Sequence, residues 1–565
     1  MKLKNILWYI FAIASCLITS NARALTVELP SNVGPASLND YFSKEPVQEP
    51  HELRLKIPVA TLAPHLTHKV ILLKRVNIYG NTVIQAQELK KFFKPYIGKR
   101  VNLDKLAIIA GKITSLYRDQ GYIISEATIP QKQDSVETGV LNILIKERSI
   151  EHMRIEGPIT PALKHILTTY GEQIIASKPL KYKTLVHYVI LADNIPGVSV
   201  ETQVMPWKKT DEGLVIFKVQ RKTVDGQVRY GKLGSEIIGP YLLIPELNIN
   251  SILGAGQLKN KVVTSTFNNS LRYYETTLTN PIDKYGDELR LQLNTLTNKP
   301  GSEFRPFKVV GTSTEGLIEL THPLLLESQQ RIFVAANFSL QDSEQRILNQ
   351  LNYKDRQRTV ELSIQDDFWD KFEGINIINA GYVQGLGVFN GSKGGDPLLS
   401  NAGACPACHY FRLLFIRQQK ITDSVDLNFR FDSQYTNKRM LQGMLFNYGG
   451  FPMGRAYDKN ELSGDKGFNA SIEASYKHAF GLKWLQRARF FVYYDYGHVW
   501  ENVPAGDLAT VSLPANLEGQ SIGAGIHFLF SRNISGELEA YKPINLPPTL
   551  LSKNWRAFYS MIVKF

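Results

Sequence analysis

The run Cys405-Pro406-Ala407-Cys408-His409 places two thiols and an imidazole close together in the 565 residues. Two thiols three positions apart suit a local disulfide, or stand as a free pair. The same spelling with a histidine after it is the attachment pattern of a c-type haem, and a metal or thiol-exchange role is the third reading. A single copy beside Gly394, Gly395, Asp396 and Pro397, with no evident pocket or second axial ligand, favours the thiol pair over a haem. No cofactor and no metal are expected, and His65 and His68 read as solvated histidines. The chain contains no Gly-x-x-x-x-Gly-Lys-[Ser/Thr] and no His-Glu-x-x-His, so it is not expected to be an enzyme. A different chemistry is offered by Gly449-Gly450-Phe451-Pro452-Met453-Gly454-Arg455-Ala456-Tyr457-Asp458 and the following Gly464-Asp465-Lys466-Gly467. A cation in a glycine-rich loop that folds into an interior requires a carboxylate, and a planar guanidinium fits one bidentately.

The elements that must hold such a loop are strands. Hydrophobic residues make up 43% and charged residues 21%, which excludes a disordered or fibrous chain. The mean hydropathy is -0.17 and the only long apolar run is at the N-terminus, which excludes a helical membrane protein. Residues 1–24 read as a secretory signal peptide: Lys2 and Lys4, an apolar stretch, then Ala22-Arg23-Ala24. The rival is a lipoprotein signal presenting Cys16. Without residues 1–24, Cys405 and Cys408 are the remaining cysteines and the net charge of +13 loses Lys2, Lys4 and Arg23. No arginine-rich tract accompanies that charge, so nucleic acid is not an expected partner.

From about Thr223 the period is two. Leu289, Leu291 and Leu293 alternate with Arg290, Gln292 and Asn294; Ile472, Ala474 and Tyr476 alternate with Ser471, Glu473, Ser475 and Lys477. Segments of about nine to eleven such residues span a bilayer when tilted, and full charges on the polar face suit a wet lumen. Lipid cannot satisfy an open sheet edge, so the sheet must close. Residues 223–565, at roughly 21 residues per strand with connections, give about sixteen antiparallel strands. In Arg489–Gly497 the even positions Phe490, Val492, Tyr494 and Tyr496 form the lipid face, which turns Asp495 and Arg489 into the lumen.

Two small modules precede this region. Residues 70–148 predict the order β-α-α-β-β: a strand over Val70–Ile78, helices near Gln87–Phe93 and Leu103–Gln120, then strands Ile123–Ile129 and Val140–Ile145. Residues 149–222 repeat it with Ser149–Glu156, helices near Pro161–Tyr170 and Tyr182–Asp193, then Val198–Met205 and Leu214–Val219. Residues 25–69 are punctuated by Pro30, Pro35, Pro46, Pro50, Pro58 and Pro64, with one helix-like piece, Ala36–Ser43.

Val76-x-Ile78-x-Gly80-Asn81-Thr82, Tyr117-x-x-x-Gly121-Tyr122 and Gly139-x-Leu141-x-Ile143 resemble a polypeptide-transport-associated (POTRA) domain. Lys178-Pro179-Leu180 and Asp193-x-x-Pro196-Gly197-Val198 resemble the second POTRA domain of two-partner-secretion transporters. Gly454-Arg455-Ala456-Tyr457 resembles the [Val/Ile]-Arg-Gly-[Phe/Tyr] tetrad of the inward loop in the POTRA-plus-barrel superfamily, with Ala456 where the tetrad has glycine. Tyr493-x-Asp495-x-Gly497 resembles its Phe-x-Asp-x-Gly strand motif. Tyr559-x-Met561-x-Val563-x-Phe565 resembles the C-terminal assembly signal of outer-membrane barrels.

The resemblance, to the haemolysin secretion/activation protein family, implies an all-β transmembrane barrel preceded by two small α/β POTRA domains, in the outer membrane of a Gram-negative bacterium with the POTRA domains in the periplasm. It implies an Arg455–Asp495 pair locking an inward loop that carries Gly454, Tyr457, Asp458, Gly464, Asp465 and Gly467. Breaking the pair would cost about 1–4 kcal/mol, according to how dry the lumen is. Secretion of a large haemolysin- or adhesin-type partner is implied, captured unfolded by the POTRA domains. The other implied partners are outer-membrane lipid and, during biogenesis, the barrel-assembly machinery; the chain itself is expected to be a monomer. Residues 25–69 are then either a periplasmic linker or a segment that plugs the pore. The alternatives are a barrel-assembly insertase of the same superfamily, a passive porin and a redox protein using Cys405 and Cys408.

Overall fold

The structure, a computed structural model, describes residues 34–43, 54–57, 70–130, 138–207, 212–235, 237–266, 269–502, 516–545 and 554–565. The signal peptide, Cys16, His65 and His68, and most of the 25–69 stretch lie outside the described residues.

The first module differs from its expected outline at the start. The long opening strand is two, Val70–Leu72 and Arg75–Tyr79. Leu73, between them, turns fully into the core, its N–H bonded to Lys99 O and its carbonyl to Gly98 N–H. Val70–Leu72 then pairs with a strand that the pattern did not mark, Arg100–Asn102, because three residues are too short to show a period. The helix expected near Gln87–Phe93 is Ala86–Lys90, followed by a 3₁₀ turn at Lys94–Tyr96 that carries Pro95. Leu103–Asp119 is the main helix. Leu103, Leu106, Ile109, Ile113 and Tyr117 recur at the spacing of one helix face and are buried against Leu141 and Ile143. Asn102 Oδ1 caps it by accepting the Asp104 N–H at 3.0 Å. The expected strand Ile123–Ile129 shrinks to Glu126–Thr128, an edge of a three-stranded sheet centred on Val140–Lys146.

In the second module the helices are Pro161–Ile175 and Tyr182–Asp193, and the strands Ile150–Glu156, Val198–Pro206 and Gly213–Arg221. The first helix runs past Tyr170 to Ile175 with Gly171 inside it; a Cβ there would meet Met153 Sδ at 1.9 Å, so the missing side chain lets helix and strand close up. Leu55–Lys56, from the proline-punctuated stretch, adds a parallel edge strand beside Val198–Pro206. The core of this module is continuous with the barrel end, since Leu326 packs into it and Lys183 Nζ reaches Glu327 Oε1 at 2.7 Å.

Sixteen strands close into an antiparallel barrel, from Val224–Lys232 to Arg556–Lys564. The alternation sorts side chains as lipid and lumen require. Phe490, Val492 and Tyr494 are exposed on the outside, while Tyr493 and Asp495 are buried within. Tyr559, Met561, Val563 and Phe565 lie along the outside of the final stretch. First and last strands meet over Gln227–Gly231 and Ser560–Lys564, and Lys222 Nζ donates to the Phe565 carbonyl at 2.7 Å. Among the described residues no helix is long and apolar enough to cross a membrane. Both modules lie at the end where the first strand begins and the last one finishes.

Candidate functional site

The connection between strands Val425–Tyr435 and Lys466–Ala479 turns back into the barrel. Its base is a short ladder, Phe446–Tyr448 against Leu462–Gly464, and its tip holds Gly449 to Asn460. Positive φ falls on Gly449 (127°), Gly450 (81°), Gly454 (84°) and Asn460 (54°). Ala456 is not at positive φ, so its methyl group in place of glycine is accommodated, fully buried among Phe446, Tyr448 and Tyr457.

Arg455 and Asp495 meet inside the barrel. Arg455 Nη2 lies 3.1 Å from Asp495 Oδ1 and Nε 3.2 Å from Oδ2. The carboxylate also accepts the backbone N–H groups of Gly454 at 3.0 Å and Arg455 at 3.1 Å, and the hydroxyls of Ser471 at 2.7 Å and Ser521 at 3.3 Å. Asp495 is 0% exposed, which a carboxylate tolerates only with such a full set of donors.

The cation has more partners than the sequence suggested. Glu473 Oε2 accepts from Arg455 Nη1 at 2.7 Å, and Glu473 Oε1 takes Arg489 Nη1 at 2.7 Å. The Arg455 guanidinium carbon lies 3.2 Å from the Tyr493 ring centroid. In the sequence Glu473 and Ser471 are no more than polar positions of an alternating strand, and Tyr493 is the first letter of a motif.

The remaining loop positions serve packing and anchorage. Tyr457 Oη lies 2.7 Å from Asn545 Oδ1 and accepts the Gln520 N–H at 2.9 Å. Asp458 Oδ1 accepts from Arg556 Nη1 at 2.8 Å. Asp465 receives the N–H groups of Met440 and Asn502, each at 2.6 Å, at the loop's foot. A Cβ on Gly464 would meet the Trp500 backbone at 2.7 Å, and one on Gly467 the Phe446 ring at 2.5 Å. On the facing wall, Gly497 and Gly519 leave the space filled by the Tyr448 ring.

The same lumen holds the helix Pro35–Ser43. Of the stretch read as linker or plug, these residues lie against the barrel: Leu38 and Phe42 are buried against Leu242, Val263, Leu271, Tyr273 and Leu296 of the wall. The loop clasps the helix. Asn460 Nδ2 donates to Ser37 O at 2.8 Å, Tyr41 Oη to Phe451 O at 3.0 Å, and Lys459 Nζ lies 4.5 Å from the Tyr41 and Phe42 ring centroids. Lys261 Nζ donates to Phe42 O at 2.6 Å, a cation at the helix C-terminus, where the dipole favours one. Beside helix and loop remains a cavity of about 860 Å³ lined by Arg229, Glu246, Lys459, Glu539 and Tyr541.

Cys405 and Cys408 are joined to each other in the connection 386–408 at the far end of the barrel. That connection braces the inward loop: Cys405 N–H donates to Arg439 O at 2.8 Å, and Ser400 Oγ accepts the Gln442 N–H at 2.9 Å. Gln442 O in turn accepts from Ser37 Oγ at 3.0 Å.

The family model "POTRA domain, ShlB-type" matches residues 71–147, and "Haemolysin secretion/activation protein ShlB/FhaC/HecB" matches residues 213–525. Among curated proteins the chain is similar to the heme/hemopexin transporter protein HuxB of Haemophilus influenzae strain 86-028NP, at 22% identity over 515 residues, covering 89% of this chain and 86% of that one. Among solved structures it is similar to CdiB from Escherichia coli, with TM-score 0.71, 18% identity and coverage of 89% and 93%. CdiB from Acinetobacter baumannii gives TM-score 0.61, 17% identity and coverage of 91% and 95%. A sixteen-stranded closed barrel, POTRA-type modules at one end and a family match over more than half of the sequence converge: the chain belongs to the haemolysin secretion/activation protein family ShlB/FhaC/HecB, transporters of the outer membrane with POTRA domains in the periplasm.

Proposed function

We propose that this chain secretes one large exported partner protein by two-partner secretion. The POTRA modules capture the partner unfolded in the periplasm, the barrel conducts it, and folding outside makes the movement directional. The observation that carries this reading is the occupied lumen. A helix and an inward loop occupy it, each seated by a small apolar cluster and by polar contacts to the wall and to each other, and neither is a strand of the wall, so both can be displaced. The relatives named heme/hemopexin transporter support an exported cargo, and the cargo of this chain is proposed only as a large secreted protein of haemolysin or adhesin type. The Arg455–Asp495 pair acts as the lock of the loop, and the final strand ending in Phe565 addresses the barrel-assembly machinery.

The test compares culture supernatants of cells with and without this chain. Loss of one large protein, restored by the wild-type chain, supports the reading; an unchanged supernatant overturns it. The second reading, a barrel-assembly insertase, draws on the short seam between Gln227–Gly231 and Ser560–Lys564, which contrasts with ladders such as Leu271–Pro281 against Glu288–Asn298. It requires that depletion lower many outer-membrane proteins together.

A further inference from the structure

The longest hairpin of the barrel, Gln330–Ile347 paired with Gln350–Trp369, carries a charge pattern that secretion does not use. On its outward face the paired rows read, from the module end, Ala336 with Leu362, Phe338 with Val360, Leu340 with Arg358, Asp342 with Arg356, and Glu344 with Lys354. Arg346 follows at the top. Hydrocarbon therefore gives way to charge within one row. Lumen-facing neighbours such as Ser339, Gln341, Ser343 and Asp355 are buried, which fixes the charged set on the outside. On the adjoining strand the matching outward positions, Thr312 and Thr314, are uncharged.

Arg358 stands at the boundary and turns away from the apolar rows. It is 7% exposed, with Nη2 2.7 Å from Asp342 Oδ1 and Nε 3.2 Å from Phe389 O. Arg346 and Lys354 share Glu344, at 2.7 and 3.5 Å. Four basic residues against two carboxylates leave the patch positive. Below it, Phe389 packs on Phe338 with ring centroids 5.8 Å apart and remains 70% exposed, beside the exposed Val388. An aromatic wedge at acyl level under a basic cluster at headgroup level is the arrangement that holds a lipid by chain and phosphate together.

We propose that this outward face binds a phosphorylated glycolipid of the outer leaflet, with Arg346, Lys354 and Arg356 on its phosphate groups and Phe389 among its acyl chains. The location selects the leaflet, since these rows lie at the end of the barrel opposite the POTRA modules. The chemistry selects the headgroup. Guanidinium and ammonium groups make charge-assisted hydrogen bonds to phosphate, and several cations in one patch favour a headgroup with more than one.

The test is native mass spectrometry of the full chain in detergent, titrated with a diphosphorylated hexa-acyl glucosamine disaccharide, its dephosphorylated form and phosphatidylglycerol. The diphosphorylated lipid is expected to bind roughly tenfold tighter than either of the others, and the combined R346Q, K354Q and R356Q variant to lose roughly tenfold in affinity. K542Q, an outward lysine on the opposite wall, should bind as wild type. Should the combined variant fail the heat-modifiability check for a folded barrel, D342N with E344Q serves instead and should tighten binding. Equal binding with and without phosphates overturns the proposal, as does phosphatidylglycerol binding as tightly as the disaccharide. Unaltered affinity in the charge variants, or an equal loss in K542Q, overturns it too.

Discussion

Arg455 places its guanidinium over the Tyr493 ring while its Nε and Nη2 reach the carboxylate of Asp495, so one strand supplies both the face and the counter-charge that hold the loop. Arg455→Ala leaves a buried carboxylate without its cation, a loss of about 3–5 kcal/mol. The expected outcome is a loop cleaved by protease added to intact cells, with secretion reduced at normal barrel abundance. Secretion at the wild-type level would remove the lock from the mechanism. Arg455→Lys should fall nearer to alanine than to wild type, because an ammonium cannot pair with two carboxylates in a planar fork.

Gly497→Ala tests the seat of the loop's base. A Cβ there would lie 2.2 Å from the Tyr448 ring, so ring or strand must shift at a cost of about 1–3 kcal/mol. A lower unfolding temperature is expected, together with greater protease sensitivity near Phe446–Tyr448. Tyr448→Ala in the same chain should relieve the clash and abolish that increment, measured as a double-mutant cycle.

Lys459 joins the tip of the loop to the lumen helix through the Tyr41 and Phe42 rings. Lys459→Gln should loosen the helix and raise the time-averaged conductance of single barrels in planar bilayers. Lys261→Gln, which removes the cation from the helix C-terminus, should act in the same direction. No change in either variant would mean that these two cations do not hold the helix.

Acid should loosen the first POTRA module. Burial acts to raise the Glu147 pKa, but hydrogen bonds from the Thr82 hydroxyl, Tyr117 Oη and the N–H groups of Thr82 and Val83 outweigh it, leaving the carboxyl below its ordinary value. A pKa lower in the folded state contributes stability that is complete above the unfolded value of about 4.3 and disappears as pH falls through the folded one. Hydrogen exchange in residues 70–147 should accelerate over that window in the wild type. Glu147→Gln should be less protected at neutral pH and lose the acid dependence.

Much of the frame could be read from the amino acids because lipid and lumen impose a period of two. Parity alone turned Asp495 inward, and the motif around Arg455 marked the loop that meets it. Glu473 was hidden by the same regularity, since it shares its parity with several other lumen charges and nothing in one strand says which of them a distant loop will touch. The short strand Arg100–Asn102 and the break at Leu73 escaped for want of length. Ala36–Ser43 read as linker or plug, because a helix this short has no stability of its own and its burial is a property of the barrel around it. Ala456 stands without strain where the tetrad has glycine, because the positive φ falls on Gly454.

Leu55–Lys56 is bound to the second POTRA module, with Arg54 Nη1 donating to Ser199 Oγ at 2.6 Å and Lys56 Nζ 2.6 Å from Glu201 Oε1, whereas Ser43 ends the helix inside the barrel. The chain between Ser43 and Arg54 can reach at most about 40 Å when fully drawn out. The helix is thus on a leash anchored in the periplasm. It can travel only within that radius while the anchor holds, and a guest strand that took the place of Leu55–Lys56 would pay out slack to the far end.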